Sequence, residues 1–113
     1  MPSREEIEIR AIWHEPPSLF SSGLMKWVAV ATGPTGAIHV RDSTAFPIDD
    51  TYVDGDASGD YPYVRIGRDE MDEAERQTVQ RMLDEFVKLL EHDGWIRDSQ
   101  GSDWYNLRFT RPA

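Results

Sequence analysis

The stretch Leu24-Met25-Lys26-Trp27-Val28-Ala29-Val30-Ala31 is apolar at nearly every position. Such a run is typical of a strand that has neighbours on both sides and little contact with solvent. Turn residues follow it in Gly33-Pro34-Thr35-Gly36, where proline presets one dihedral angle and glycine accepts a positive one. The sequence therefore predicts a hairpin from this strand to a second strand at residues 37–41.

Further strands are predicted before and after this hairpin. Ile7, Ile9, Ala11 and Trp13 alternate with charged residues, which indicates a half-buried strand near the start of the chain. Residues 61–66 form either an edge strand or no strand, because Pro62 cannot donate to a central ladder. Near the end, residues 95–97 and 104–109 flank a polar loop and are predicted to pair as a hairpin.

One long helix is predicted between these strands, from Asp69 to about Asp93. Its apolar positions recur at offsets of three and four, as expected for a helix with one buried side. They are Val79, Met82, Leu83, Phe86 and Leu90. Asp69 is the predicted cap and Gly94 the predicted left-handed stop, which gives a length of roughly 37 Å at ~1.5 Å per residue.

The order of elements, β-β-β-(β)-α-β-β, defines the expected fold class. It predicts an α+β two-layer sandwich, in which one helix covers an antiparallel sheet of four to five strands. Residues 1–113 are expected to form a single domain. Within it, residues 47–60 hold five aspartates and two glycines, which predicts an acidic flexible loop.

Length and composition exclude several classes of protein. A chain of 113 residues is too short for a cofactor domain plus a substrate domain, which excludes large multidomain enzymes. It has no cysteine, which excludes disulfide frameworks, thiolate nucleophiles and iron–sulfur ligation. With no apolar run near the ~20 residues of a membrane helix and no signal segment at residues 1–6, we expect no membrane contact and a cytoplasmic location.

The net charge of −9 is concentrated in one segment. Residues 42–75 hold eleven acidic residues and two arginines, whereas the rest of the chain is neutral. An acidic segment on a neutral body gives an oriented electrostatic surface, which repels nucleic acid and attracts cations or basic partners.

The last third of the chain carries a further pattern. The amphipathic helix runs into Gly94-Trp95, and a strand of the form Trp104-Tyr105-x-x-Arg108-Phe109 follows. This arrangement resembles the carboxyl ends of small uncharacterised bacterial proteins that share a helix, a Gly-Trp pair and an aromatic hairpin. The resemblance implies the fold and a bacterial type of source, and it implies no activity.

A single helix covers one face of the sheet, so the other face is exposed, partnered or liganded. If Ile38, Val40 and the other apolar strand residues face the helix, alternation places basic and aromatic side chains on the opposite face. They are Arg10, His14, His39, Arg41, Tyr63, Arg65, Trp104, Asn106 and Arg108. One slip or bulge in a strand would move its side chains to the other face.

Two interpretations of this basic and aromatic face remain open. Its cations could pair across strands with Glu6, Glu8 and Asp42, which stabilises the sheet only slightly. Alternatively the face binds a protein partner or a second copy of the chain, since tyrosine, tryptophan and arginine concentrate binding energy at interfaces. The net charge and the presence of only two lysines argue against nucleic acid. We favour a non-catalytic protein-binding or self-associating module.

Three alternative functions remain open. Exposed carboxylates at Asp69, Glu70, Asp72, Glu73 and Glu75 could imitate nucleic acid and so inhibit a protein that binds DNA or RNA. Asp54, Asp56, Ser58 and Asp60 fit the first half of a calcium loop, but Arg65 stands where the bidentate glutamate belongs. His39 and Asp42 could act as the acid–base pair of a small enzyme. Apart from possible calcium, no cofactor is expected.

Overall fold

The two stretches with the clearest strand patterns form the two longest strands of the sheet. The computed structural model describes residues 4–14, 23–33, 36–54 and 63–112. The strands in these ranges are β1 Arg4–His14, β2 Gly23–Gly33, β3 Gly36–Asp42, β4 Phe46–Ile48, β5 Val53–Asp54, β6 Tyr63–Ile66, β7 Ile96–Gln100 and β8 Leu107–Pro112, and the helix α1 is Glu73–His92. No helix in these ranges is long and apolar enough to cross a membrane.

The predicted sheet of four to five strands is wrong, because the described residues form an antiparallel sheet of eight strands. The fold is still α+β. The two strands absent from the prediction, β4 and β5, have three and two residues and so are too short for alternation to reveal. A short 3₁₀ turn at Asp50–Tyr52 lies between them.

Short strands lie end to end along both sides of the long β1–β2 pair. On one edge of β1, β8 pairs with residues 4–8 and β6 with residues 11–12. On the outer edge of β2, β4 pairs with residues 23–25 and β3 with residues 28–33. β7 lies outside β8, and β5 lies outside β6. Because three strand positions are each filled by two short segments, the number of strands exceeds the width of the sheet.

The main core lies between α1 and one face of the sheet. Odd-numbered residues of the central strands, such as Ile9 and Trp27, point into it and are fully buried. From the helix, Val79, Leu83, Phe86 and Leu90 pack against them. The alternating apolar residues of β1 and β2 and the apolar side of α1 therefore meet in this core.

The helix begins later than predicted, at Glu73 with Asp72 as its cap rather than Asp69. The Asp72 carboxylate accepts a hydrogen bond from the Glu75 N–H at 2.8 Å. The start is displaced because Met71 turns back into the core and is only 4% exposed. The predicted stop is confirmed: Gly94 has a φ of 95°, and its N–H donates to the Glu91 carbonyl.

The segment predicted as a flexible loop, residues 47–60, has ordered structure in its first part. Ile48 ends β4 and is 1% exposed, and the backbone continues through the 3₁₀ turn into β5. Residues 55–60 lie outside the described residues. One buried isoleucine and short strand pairings hold residues 47–54 of this polar segment against the sheet, and the flexibility of the segment stays a prediction.

Candidate binding surface

The sheet face that points away from α1 is called the open face below. Its members follow from the strand pairings, since residues directly opposite each other point to the same side. They include Glu6, Glu8, Arg10 and Ile12 on β1; Leu24, Lys26, Val28 and Val30 on β2; His39 and Asp42 on β3; Asp54 on β5; Tyr63 and Arg65 on β6; Ile96 and Ser99 on β7; and Arg108 and Thr110 on β8. The open face therefore brings together five of the predicted surface residues: Arg10, His39, Tyr63, Arg65 and Arg108.

Arg41 was predicted for the open face and lies on the helix side instead. The register of β3 shifts so that Val30 pairs with His39 and Ala29 with Arg41, which leaves Val40 as a bulge. This bulge reverses the alternation beyond it. The Arg41 guanidinium forms an ion pair of 2.8 Å with Asp93 at the end of α1.

Trp104 and Asn106 also differ from their predicted placement, because residues 104 and 105 form a turn and β8 begins only at Leu107. Three consecutive side chains of this segment donate to backbone carbonyls at 2.9 Å each: Trp104 to Ile66, Tyr105 to Val64 and Asn106 to Ile9. The Ile9 carbonyl lies in the gap on β1 between β8 and β6. The Asn106 amide thus replaces a strand donor at this gap.

The Tyr105 hydroxyl makes the stability of the protein depend on pH in the alkaline range. Burial raises its pKa from 10.0 to about 12, and the nearby Asp103 carboxylate adds to the rise. Between these two values the folded protein keeps a proton that the unfolded chain releases, so the free energy of unfolding falls as the pH rises through this window. The loss approaches about 3 kcal/mol for two pKa units, and it is absent well below pH 10.

Tyr105→Phe is expected to flatten this dependence. The variant lacks the ionising group, so its urea-unfolding free energy should change less between about pH 8 and about pH 11 than that of the parent protein. At about pH 8 the unfolding free energy of the variant should be about 1 kcal/mol lower than that of the parent, because the Val64 carbonyl loses its hydrogen-bond donor. Equal losses between the two pH values in both proteins would contradict the assignment.

His39 and Tyr63 form a bridge across the open face. The His39 Nε2 lies 2.9 Å from the Tyr63 hydroxyl, although β2 and β1 separate their strands. His39 pairs with Val30, which in turn pairs with Glu8 on β1. Tyr63 pairs with Ile12, which lies four residues further along β1. In a flat sheet, three strand spacings and four residues would separate their Cα atoms by about 20 Å, beyond the reach of the two side chains. The sheet therefore curls toward this side along the diagonal from β3 to β6, and the open face is concave along that line.

A small apolar cluster lies under this bridge. Ile12, Val28 and Val30 are 5%, 0% and 1% exposed, and the Tyr63 ring packs against them. The Arg10 guanidinium lies over the same ring, 4.9 Å from its centre, and makes a cation–π contact. The concave face is thus built on a second, smaller core.

The pair predicted for a small enzyme is only loosely assembled. The His39 Nδ1 lies 3.9 Å from the Asp42 carboxylate, which is longer than a hydrogen bond. The second Asp42 oxygen accepts from the Lys26 ammonium at 2.8 Å. The acid–base hypothesis stays a prediction.

Beside the bridge, a depression of about 340 Å³ lies in the open face. The Glu8 carboxylate is central to it, and accepts from Arg10 at 3.3 Å and from Arg108 at 2.8 Å. The Arg108–Glu8 and Lys26–Asp42 contacts join neighbouring strands, as the sequence allowed, whereas Arg10 and Glu8 lie on the same strand. Glu6, Val30, Asp98, Ser99 and Thr110 also line the depression. Thr110 and Ser99 were not predicted as surface residues, because the predicted strands ended at residues 97 and 109, whereas β7 and β8 continue to Gln100 and Pro112.

The predicted acidic surface lies at the start of α1 and in the turn before it. Of its residues, Asp69, Glu70, Asp72 and Glu73 are exposed and Glu75 is half-buried. Asp72 caps the helix, and the Glu75 carboxylate accepts from the backbone N–H that follows β4 at 2.9 Å. The Glu73 carboxylate accepts from the Gln77 amide at 3.0 Å, so three of the five carboxylates take part in local contacts. The nucleic-acid-mimic hypothesis stays a prediction.

Only one residue of the predicted calcium loop is described. Asp54 ends β5 opposite Arg65 and is exposed, whereas Asp56, Ser58 and Asp60 lie outside the described residues. Across residues 4–14, 23–33, 36–54 and 63–112, no three histidine or carboxylate side chains gather so that they could hold a metal ion. Calcium binding also stays a prediction.

Comparisons of the chain with protein-family models, with curated proteins and with solved structures find no match. The resemblance of the last third to small bacterial proteins is therefore a prediction as well.

Proposed function

We propose that this chain acts without catalysis, as a protein-binding module whose contact surface is the open face. The observation that supports this function is that α1 covers one face of the sheet, while the other is concave and contains the depression around Glu8. The contact residues in this proposal are Arg10, His39, Tyr63, Arg65 and Arg108.

The chemistry of these residues suits a protein interface. Tyrosine and arginine are among the residue types whose truncation costs the most binding energy at interfaces. The Arg65 and Arg108 side chains are about half exposed, at 53% and 52%, while one carboxylate holds each in place. Side chains that are already oriented lose less conformational entropy on binding, which favours affinity.

Tyr63→Ala and Arg108→Ala test the proposal. Each is expected to weaken partner binding or self-association at least tenfold, because each removes a large contact of the concave face. Light scattering over a range of concentrations would measure self-association. Capture on the immobilised protein, followed by mass spectrometry, would compare the bound proteins.

Lys88→Ala is the matched control, since Lys88 is exposed on the helix side of the molecule. Circular dichroism would confirm that all variants keep their helix content. Self-association and captured proteins that are the same in the parent, Tyr63→Ala and Arg108→Ala would contradict the open face as the interface. A cytoplasmic location is part of this proposal and rests on the sequence composition alone.

A further inference from the structure

The depression in the open face has an unequal balance of paired and unpaired charges. Both of its arginines direct their Nε atoms to the same Glu8 carboxylate. Glu6 and Asp98, which lie on its rim, have no ion pair or hydrogen bond among the side chains of the described residues. The lining therefore holds three carboxylates against two guanidinium groups, and two of the carboxylates, Glu6 and Asp98, are unpaired within the described residues.

A threonine side chain in the lining points to the same ligand chemistry. Thr110 lines the depression directly opposite Glu6 on β1, and the residue is only 8% exposed. Its side chain makes no hydrogen bond within the described parts of the chain. A donor that reaches this hydroxyl from the depression would give it a hydrogen-bond partner that the described residues do not supply. Ser99, on the neighbouring strand, adds a second hydroxyl.

We infer that this depression binds a lysine side chain of a basic partner protein. An ammonium group carries three donors and a positive charge, and it finds here two unpaired carboxylates and the Thr110 hydroxyl as acceptors. The net charge of −9 attracts a basic segment to the molecule before contact. This inference rests on the proposed function and names the chemistry of its partner.

The probe is Nα-acetyl-lysine methylamide, titrated into ¹⁵N-labelled protein and followed by NMR. Saturable shifts are expected at the amides of residues 6, 98, 99 and 110, and they should weaken as salt is added. Nα-acetyl-norleucine methylamide, which has a similar chain without the charge, should leave these amides unchanged. Shifts that are absent, or that are the same for both probes, would overturn the inference.

Variants localise the effect. Glu6→Gln, Asp98→Asn and Thr110→Val should each raise the dissociation constant of the lysine probe several-fold. Glu73→Gln removes the same charge from an exposed position at the start of α1 and should leave it unchanged. Equal weakening by Glu73→Gln would overturn the site, since the probe would then be sensing only the net charge.

The test separates the site from the proposed function. Local shifts caused by the lysine probe would support the site. If Tyr63→Ala and Arg108→Ala left partner binding unchanged, that result would contradict the proposed function alone. A second copy as the occupant would instead appear as a dimer that Glu6→Gln dissociates in the absence of any basic probe, and that result would overturn a basic partner.

Discussion

Trp27→Ala is expected to lower the free energy of unfolding by about 4 kcal/mol. Trp27 is 0% exposed, and its ring contacts Phe46, Trp104 and Tyr105 at centroid distances of 6.3, 5.8 and 5.2 Å. Removing the indole leaves a cavity at the point where β2, β4 and the turn before β8 meet. For a domain whose total stability is about 5–15 kcal/mol, a loss of this size leaves a marginal fold. Urea unfolding followed by circular dichroism measures it.

Trp27→Phe provides the matched comparison. The Trp27 Nε1 is buried and has no acceptor within the described residues, so the parent protein already carries the cost of one unpaired donor. Phenylalanine keeps most of the ring contacts and removes that donor. Its loss should therefore be less than half that of alanine. Equal losses for the two variants would show that ring packing is not what Trp27 contributes.

Asn106→Ala is expected to cost about 2–4 kcal/mol, although Asn106 was predicted from the sequence as a binding residue. Its amide donates to the Ile9 carbonyl at 2.9 Å and its oxygen accepts from the Asp103 N–H at 3.0 Å. Alanine leaves both backbone groups without this partner, and one of them lies in the buried central strand. Thermal and urea unfolding would show the loss.

Arg108→Ala is the control for this second prediction. Arg108 lies two residues away and forms an exposed ion pair, which is worth about 0–1 kcal/mol in stability. The two variants should therefore separate: Asn106→Ala affects stability, and Arg108→Ala affects binding. Similar stability losses in both would contradict the structural role given to the Asn106 amide.

The parts of the fold that could be predicted are those in which local pattern and tertiary structure agree. The run at residues 24–31 forms a central strand, and Gly94 ends the helix, because burial on both sides and a positive φ leave direct traces in the residue types. β4 and β5 leave no such trace. Their pairing depends on partners far along the chain, and Phe46–Ile48 and Val53–Asp54 are too short to show a period.

The open face could be predicted in part for the same reason. Arg10, Tyr63 and Arg108 lie in strands with regular alternation, so the two-residue period predicts the sheet face on which their side chains lie. The bulge at Val40 has no signature in the sequence, and it displaced Arg41. Trp104 and Asn106 continue an alternating pattern into a turn, where distant carbonyl groups that the sequence cannot reveal engage their side chains.

The pairing of β1 with β8 has a consequence for how the chain folds. Residues 4–8 find their partners only at residues 108–112, about a hundred residues later in synthesis. Loop closure over such a span is slow, and contacts of this kind raise the contact order of a domain. Until β8 emerges, one edge of the first strand is unpaired and open to other chains. Closing the sheet therefore requires a long-range pairing of residues 4–8 with residues 108–112.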